Sequence, residues 1–409
     1  MNKNTKLAAA RRIRNDEYYT RFCDVEDQIG AYLAADPDLF AGRTILLPCD
    51  DPEWSNFTRF FAGNFRRLKL KKLISTSYVH SDGSRRLSAC EAASPHYDPL
   101  LHATCGKLFV LREEDEDPRS PDHLPFTYLE GDGDFRSPEV ARLRDEADII
   151  ITNPPFSLFR EFMQFLQEGK KDFIIVASDT TNKYKEIFRL LKTRQIWPGP
   201  GFRGTAQFYT LEDPDEVLPF GITIRKGECV EMNNACWLTN LPFVGGPEPL
   251  ILDTLEHNLK YSRPLRKRLR SKFGSDEAYP RYANFDALEV PLVECIPKDY
   301  AGVMGVPVSF LNRWDPDQFE LLGRSGDREW AENECEFYRP PSAAEARRLK
   351  SLDRGWRPQH PYVLRADGTP NNIFERLFIR ARQPERQKEK QYGTDSASGS
   401  DSGRCARRL

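Results

Sequence analysis

Residues 148–156, Asp-Ile-Ile-Ile-Thr-Asn-Pro-Pro-Phe, constrain the fold more than any other stretch of this chain. The three isoleucines read as a short buried strand. The strand then ends abruptly: neither proline continues a ladder, and each pushes the residue before it into an extended conformation. Asn153 and the carbonyl of Pro154 therefore project stiffly from a strand end, and a helix is expected from Leu158 to Gln167. In an open α/β sheet that edge is where ligands bind.

The amide oxygen of Asn153 and the neighbouring carbonyl are two acceptors held close together. They suit an exocyclic amino group, which has two hydrogens to donate. Holding both hydrogens keeps the nitrogen lone pair available to an electrophile, and Phe156 offers a face on which a planar base stacks. The structural alternative is a Pro-Pro turn closing a core strand, with Asn153 capping the next helix. Asn-Pro-Pro-aromatic resembles the motif of amino-methyltransferases that use S-adenosylmethionine. On that resemblance Asn153, Pro154, Pro155 and Phe156 are the candidate catalytic residues.

The length of 409 residues suits two or three domains, and 30% of the residues are charged. There is no run of 18 apolar residues, so no membrane span is expected. Met1–Arg14 is basic but has no apolar stretch, which argues against a secretory signal and for a cytoplasmic protein. Nine cysteines without CxxC pairs or histidine partners at zinc spacing suggest reduced thiols and no structural metal. The net charge is only −2, so a nucleic-acid partner has to be argued from local patches.

Residues 1–14 carry Lys3, Lys6, Arg11, Arg12 and Arg14 and no acid; they form either a solvated arm or a phosphate-contacting one. Arg43–Pro48 is the first buried strand expected. The loop Cys49-Asp50-Asp51-Pro52-Glu53 follows, then an amphipathic helix with Phe57, Phe60, Phe61 and Phe65. Strand, acidic loop and helix make a nucleotide-type pocket, yet no glycine lies between Gly42 and Gly63. The charge sign suits S-adenosylmethionine, whose ammonium and sulfonium favour carboxylates.

Together, Asp16-Glu17-Tyr18-Tyr19-Thr20, Cys49-Asp50-Asp51-Pro52 followed by Ser55-Asn56-Phe57, Leu70-Lys71-Lys72-Leu73-Ile74 and Asn153–Phe156 resemble the EcoRI-type adenine-specific DNA methyltransferases. That family also lacks the glycine-rich loop, and the resemblance covers roughly residues 15–325. It implies an S-adenosylmethionine-dependent enzyme that flips adenine out of double-stranded DNA and methylates N6. It also implies a place in a restriction-modification system, with a cognate restriction endonuclease as possible partner. Tyr19, Thr20, Asp50, Asp51, Asp134 and Phe135 are the cofactor-binding candidates it implies. Asp134-Phe135 resembles the pair that contacts the cofactor adenine; the alternative is a Gly-Asp turn. Ser75, Thr76 and Ser77 stand where many methyltransferases end the second strand with an acid for the ribose.

The expected fold is α/β: a Rossmann-like, doubly wound, mostly parallel sheet (the class I methyltransferase fold) with a smaller C-terminal DNA-contact region. Further strands are expected at Leu70–Ser77, Phe126–Glu130, Phe173–Ala177 and Cys236–Asn240, with a helix over Asn182–Lys192. Residues 80–122 read as an insertion containing a short strand, Lys107–Arg112. Trp197–Gly204 is a Gly/Pro loop, either a lid or a target-strand contact. The domain reading is a basic arm 1–14, a methyltransferase domain 15–250, a target-recognition region 251–380 and a disordered tail 381–409.

His257–Phe273 carries Lys260, Arg263, Arg266, Lys267, Arg268, Arg270 and Lys272 without one acid. Such a block is either one face of a surface helix or a nucleic-acid contact, and seven cations favour the second; the family resemblance makes these seven the DNA-binding candidates. Gly302–Pro307 has no assignable chemistry, and Glu375–Ala381 reads as a short helix. Two other readings stay open: a methyltransferase acting on RNA or on a protein glutamine, and a non-catalytic DNA-binding protein with the same fold.

Overall fold

The computed structural model describes residues 19–79, 95–116, 124–178, 181, 184–201, 206–209, 222–225, 229–232, 235–242, 248–365, 368–373 and 375–382. The basic arm, the tail beyond 382, residues 202–205 of the Gly/Pro loop and parts of the 80–122 insertion lie outside these. No helix among the described residues is long and apolar enough to cross a membrane.

Four parallel strands form the centre of an eight-stranded sheet, in the order Lys72–Thr76, Thr44–Leu47, Ile149–Thr152, Asp172–Ser178. Antiparallel strands extend both sides. Ala235–Thr239 and then Trp197–Pro198 lie beyond Asp172–Ser178. Lys107–Arg112 and then Thr127–Tyr128 lie beyond Lys72–Thr76. The segment expected as the third strand is thus only Thr127–Tyr128, at the edge. The place beside Lys72–Thr76 belongs to a strand from the expected insertion, whose Lys107, Phe109 and Leu111 are buried.

The isoleucine run is uninterrupted because both faces of the sheet are covered. Ile149 and Ile151 join Ile45, Leu47, Ile174 and Val176 under the helices Phe22–Ala35 and Asn56–Gly63. Ile150 joins Leu46 and Ile175 on the other face, under the helices Pro138–Glu146, Phe159–Gly169 and Lys185–Lys192. Phe159, Phe162, Met163 and Leu166 repeat at helical spacing and are all buried. The chain passes from Thr44–Leu47 to its neighbour on one side, Lys72–Thr76. Later it lays Ile149–Thr152 on the other, so strand order reverses between Thr44–Leu47 and Ile149–Thr152.

A small antiparallel sheet joins Tyr19–Thr20 to Ala206–Tyr209, Cys229–Met232 and Ile222–Arg225. The C-terminal half holds a third sheet: Leu288–Glu289, Met304–Pro307, Arg376–Ala381 and Phe319–Arg324. Arg376–Ala381 corrects the expected helix. Leu377 and Ile379 join one apolar cluster and Phe378 another, so a central strand buries on both faces what a helix would hold on one stripe. Gly302–Pro307 is accounted for as well. A Cβ at Gly305 would collide with the Tyr282 hydroxyl, which donates to buried Glu289. Arg376 grips the same carboxylate at 2.7–3.2 Å.

Candidate active site

The carboxyl ends of the parallel strands meet in a network of short polar contacts. Thr152 closes the Ile149–Thr152 strand and is fully buried. Asn153 and Pro154 follow outside any helix or strand, Pro155 is extended, and Phe156 opens a 3-10 turn, Phe156–Leu158, before the helix Phe159–Gly169. Leu158 holds the N-cap position of that helix. Asn153 stands well ahead of it, so capping is not its part. Asn153, Pro155 and Phe156 are half-buried and Pro154 is buried.

Asp50 lies just beyond the neighbouring strand, Thr44–Leu47, and is 4% exposed. The Thr152 hydroxyl donates to Asp50 Oδ2 at 2.5 Å and the Ser55 hydroxyl to Oδ1 at 2.6 Å. The Asp50 amide donates to the carbonyl of Thr76 at 2.9 Å. Ser75, itself 2.8 Å from the Thr58 hydroxyl, donates to the Asp50 carbonyl. Burial pushes the Asp50 carboxyl up to about 7; the hydroxyls of Ser55 and Thr152 restrain the rise and the charge of Asp51 adds to it.

Asp51 accepts from Lys107 Nζ at 3.2 Å, and Glu53 accepts from the same ammonium at 2.5 Å. Lys107 has no exposed surface, so the strand of the expected insertion closes this loop with a buried cation. Thr20 arrives from the small sheet: its carbonyl accepts from Asn56 Nδ2 at 2.8 Å, directly beside Ser55. Tyr19-Thr20, Asp50-Asp51 and Asn153 are therefore brought to one edge.

Asp134-Phe135 belongs to the turn that docks on the same edge. Val79 donates to the Asp132 carbonyl at 2.8 Å and Gly106 to the Gly131 carbonyl at 2.9 Å. Gly133 has φ +84°, and a Cβ there or at Gly106 would run into the Ser77 carbonyl, so glycine permits the close approach. Burial raises the Asp134 carboxyl, but hydrogen bonds from Arg136, 2.6 Å away, outweigh it and hold it below its ordinary value. The Phe135 ring is 4% exposed and packs on Phe162 and Phe165, with centroids 5.1 and 5.7 Å away.

The carboxylates of this edge are already engaged, Asp50 by Ser55 and Thr152, Asp51 by Lys107 and Asp134 by Arg136. One observation here points to a ligand: Thr20 Oγ1 is a buried polar atom without a hydrogen-bond partner among the described residues. A buried hydroxyl of that kind costs free energy until something pairs with it. Among the described residues no group of three or more His, Cys, Asp or Glu side chains is placed to hold a metal ion.

The basic block is two helices, Leu255–Tyr261 and Arg263–Phe273, broken at Ser262, which caps the second. Leu265 and Leu269 face the core, while Lys260, Arg263, Lys267, Arg268, Arg270 and Lys272 are exposed. Arg263, Arg266, Lys267 and Arg270, with Ser271, line one side of an open surface depression of about 530 Å³. Asp276, just past the helix end, pairs with Arg266 at 2.9 Å and Arg270 at 2.8 Å, and their hydrogen bonds hold its carboxyl down at about 2. Partial burial, with Arg376 and Arg268 nearby, keeps Lys272 below its ordinary range.

Sequence reasoning gave no role at the site to Thr152, Ser55, Lys107 or Asp276. A threonine closing an all-isoleucine strand and a lysine opening an apolar one were the available signals.

The chain matches the family model described as "Adenine-specific methyltransferase EcoRI" over residues 6–363. It is 36% identical over 324 residues to the Type II methyltransferase M.EcoRI of Escherichia coli, an alignment covering 78% of this chain and 89% of that protein. It is 30% identical to the Type II methyltransferase M.MpnI of Mycoplasma pneumoniae, over 76% of this chain and 83% of that one. No solved structure matches the chain. A family match spanning most of the sequence, joined to an Asn-Pro-Pro-Phe segment at the carboxyl edge of a parallel sheet, makes this chain a member of the EcoRI family of adenine-specific methyltransferases.

Proposed function

We propose that the chain transfers a methyl group from S-adenosylmethionine to N6 of adenine in double-stranded DNA, as the modification enzyme of a restriction-modification system. The observation that carries this reading is Asn153-Pro154-Pro155-Phe156 emerging where strand order reverses, beside the acidic loop of the adjacent strand. The strand order supports a Rossmann-like, doubly wound fold of class I methyltransferase type. On this reading 15–250 is the catalytic domain and 251–380 the target-recognition region.

Bound S-adenosylmethionine supplies an electrophilic methyl group on a sulfonium. The chain supplies its enclosure: Tyr19-Thr20, the Asp50-Asp51 loop, and Asp134 on a turn buttressed by Phe135. Asn153 Oδ1 and the Pro154 carbonyl hold the two amino hydrogens of a flipped adenine, and Phe156 stacks on the base. Holding the nitrogen in one direction is the main contribution of these residues; positioning of this kind supplies several kcal/mol. The released proton passes to solvent. Lys260, Arg263, Arg266, Lys267, Arg268, Arg270 and Lys272 neutralise backbone phosphates.

The test is incubation of the protein with double-stranded DNA and labelled S-adenosylmethionine, followed by digestion to nucleosides. Label in N6-methyladenine is expected. Cofactor binding without label in DNA would redirect the assignment to an RNA or protein acceptor, and absence of cofactor binding would remove the enzymatic reading.

A further inference from the structure

We propose that Thr152 and Asp50 form a positioning pair that fixes Asn153, so that the Asp50 carboxyl serves the catalytic loop while the backbone of its loop borders the cofactor. The inference rests on the reading of Asn153 as the holder of the amino group.

Three observations carry it. First, both carboxylate oxygens of Asp50 are occupied by protein hydroxyls, Thr152 at 2.5 Å and Ser55 at 2.6 Å, and the residue is 4% exposed. Second, Asp50 is anchored from three directions. Its amide and carbonyl bind Thr76 and Ser75 on one strand, Ser55 caps the Asn56–Gly63 helix, and Thr152 ends another strand. An anchor held that firmly transmits position rather than adapting to a ligand. Third, Thr152 is the residue immediately before Asn153. On the far side, Pro154 and Pro155 have little backbone freedom. The near side is a buried threonine paired with Ile175 of one neighbouring strand. The Thr152–Asp50 bond adds a side-chain tie towards the other neighbour, across the crevice where strand order reverses. A displacement of about 1 Å in a reacting group costs on the order of 100-fold in rate, so such a tie matters to turnover without touching either substrate.

Thr152→Val keeps the shape and removes the hydroxyl; Thr152→Ser keeps the hydroxyl. The experiment compares kcat, KM for a double-stranded substrate and equilibrium binding of S-adenosylmethionine in both, with Asn153→Ala and Asp50→Asn alongside. The expected result for Thr152→Val is a fall in kcat of about 10- to 100-fold, with cofactor binding and KM within about threefold and Thr152→Ser close to wild type. Asp50→Asn added to Thr152→Val should bring little further loss, because both act through one contact. If Thr152→Val keeps kcat within twofold while Asn153→Ala abolishes it, the positioning proposal falls and the assignment of Asn153 stands. If Asn153→Ala itself retains turnover, that assignment falls and the proposal with it. Loss of cofactor binding in step with kcat would return the Asp50 carboxyl to the cofactor pocket. Should Thr152→Val fail to fold, Asp50→Asn carries the same comparison alone.

Discussion

Lys107 Nζ lies 3.2 Å from the Asp51 carboxylate and 2.5 Å from that of Glu53, with no part of the lysine exposed. The ammonium also sits 5.1 Å from the centroid of the Phe126 ring. One cation thus serves two carboxylates on the glycine-free loop after the first core strand. A loop of this kind has no glycine-built backbone cradle to shape it. Here an ion cluster takes that part, and it requires the strand contributed from 80–122 to stay in the sheet.

Lys107→Met keeps the length and apolar stem of the side chain and deletes the charge. Breaking a buried pair from one side costs about 3–5 kcal/mol. Urea unfolding of the variant should show a loss of that size, and calorimetry a weaker affinity for S-adenosylmethionine. A loss under about 1 kcal/mol would mean that the loop is held by its backbone alone.

What the sequence disclosed was local. Strand, double proline and helix at 148–169 are written in adjacent residues, and the structure has them as read, the helix entered through a 3-10 turn. The misreadings have one physical origin. Leu377-Phe378-Ile379 suits a helix or a doubly buried strand equally well, and only the packing of both faces decides between them. Thr152 and Asp50 are 102 residues apart and Lys107 and Asp51 are 56 apart, so nothing in either neighbourhood announces the partner. The run of seven cations ends just before the acid that pairs with two of them, because Gly274, at φ +82°, turns the chain back on the helix.

That acid gives the basic surface a two-way test. Replacing Arg266, Lys267, Arg268 and Arg270 by neutral residues should weaken DNA binding and flatten its salt dependence by about 0.9 in log–log slope for each phosphate no longer neutralised. Asp276→Asn should act in the opposite sense: freed of their carboxylate, Arg266 and Arg270 meet phosphate without competition, so affinity rises and the salt slope steepens. Anisotropy titrations of labelled duplex over a range of NaCl concentrations measure both. Equal slopes in all three proteins would remove this helix from the DNA surface.

Gly305 tests the C-terminal sheet. The Tyr282 hydroxyl occupies the space where a Cβ would stand, and it donates to a glutamate that Arg376 already holds in two places. Gly305→Ala overpacks this point or expels the tyrosine, leaving Glu289, which has no exposed surface, short of a donor. Overpacking of a tight core costs about 1–3 kcal/mol, and denaturant unfolding should show it. A change within about 0.5 kcal/mol, the ordinary range for surface positions, would mean that the ring moves aside at no cost.

Asp50 separates stability from function. Its carboxyl titrates near 7 in the folded protein, chiefly because burial disfavours the charge, against an ordinary value of 3.8. A raised carboxyl pKa means that the folded state holds its proton more tightly than the unfolded chain does. Stability from this group is therefore greatest below about pH 4, declines as the pH rises towards 7, and is level above that. At about 1.4 kcal/mol per pH unit the decline is on the order of 4 kcal/mol at most. Asp50→Asn resembles the protonated form and carries no charge to desolvate. It should melt close to wild type near pH 4 and above it at pH 8, as thermal unfolding over this window will show; parallel curves would place the carboxyl in an environment that does not disfavour its charge. The same variant should turn over more slowly, since an amide offers one acceptor where the carboxylate offers Ser55 and Thr152 one each. A variant more stable at pH 8 yet less active is the signature of a charge kept buried to hold Asn153 in place.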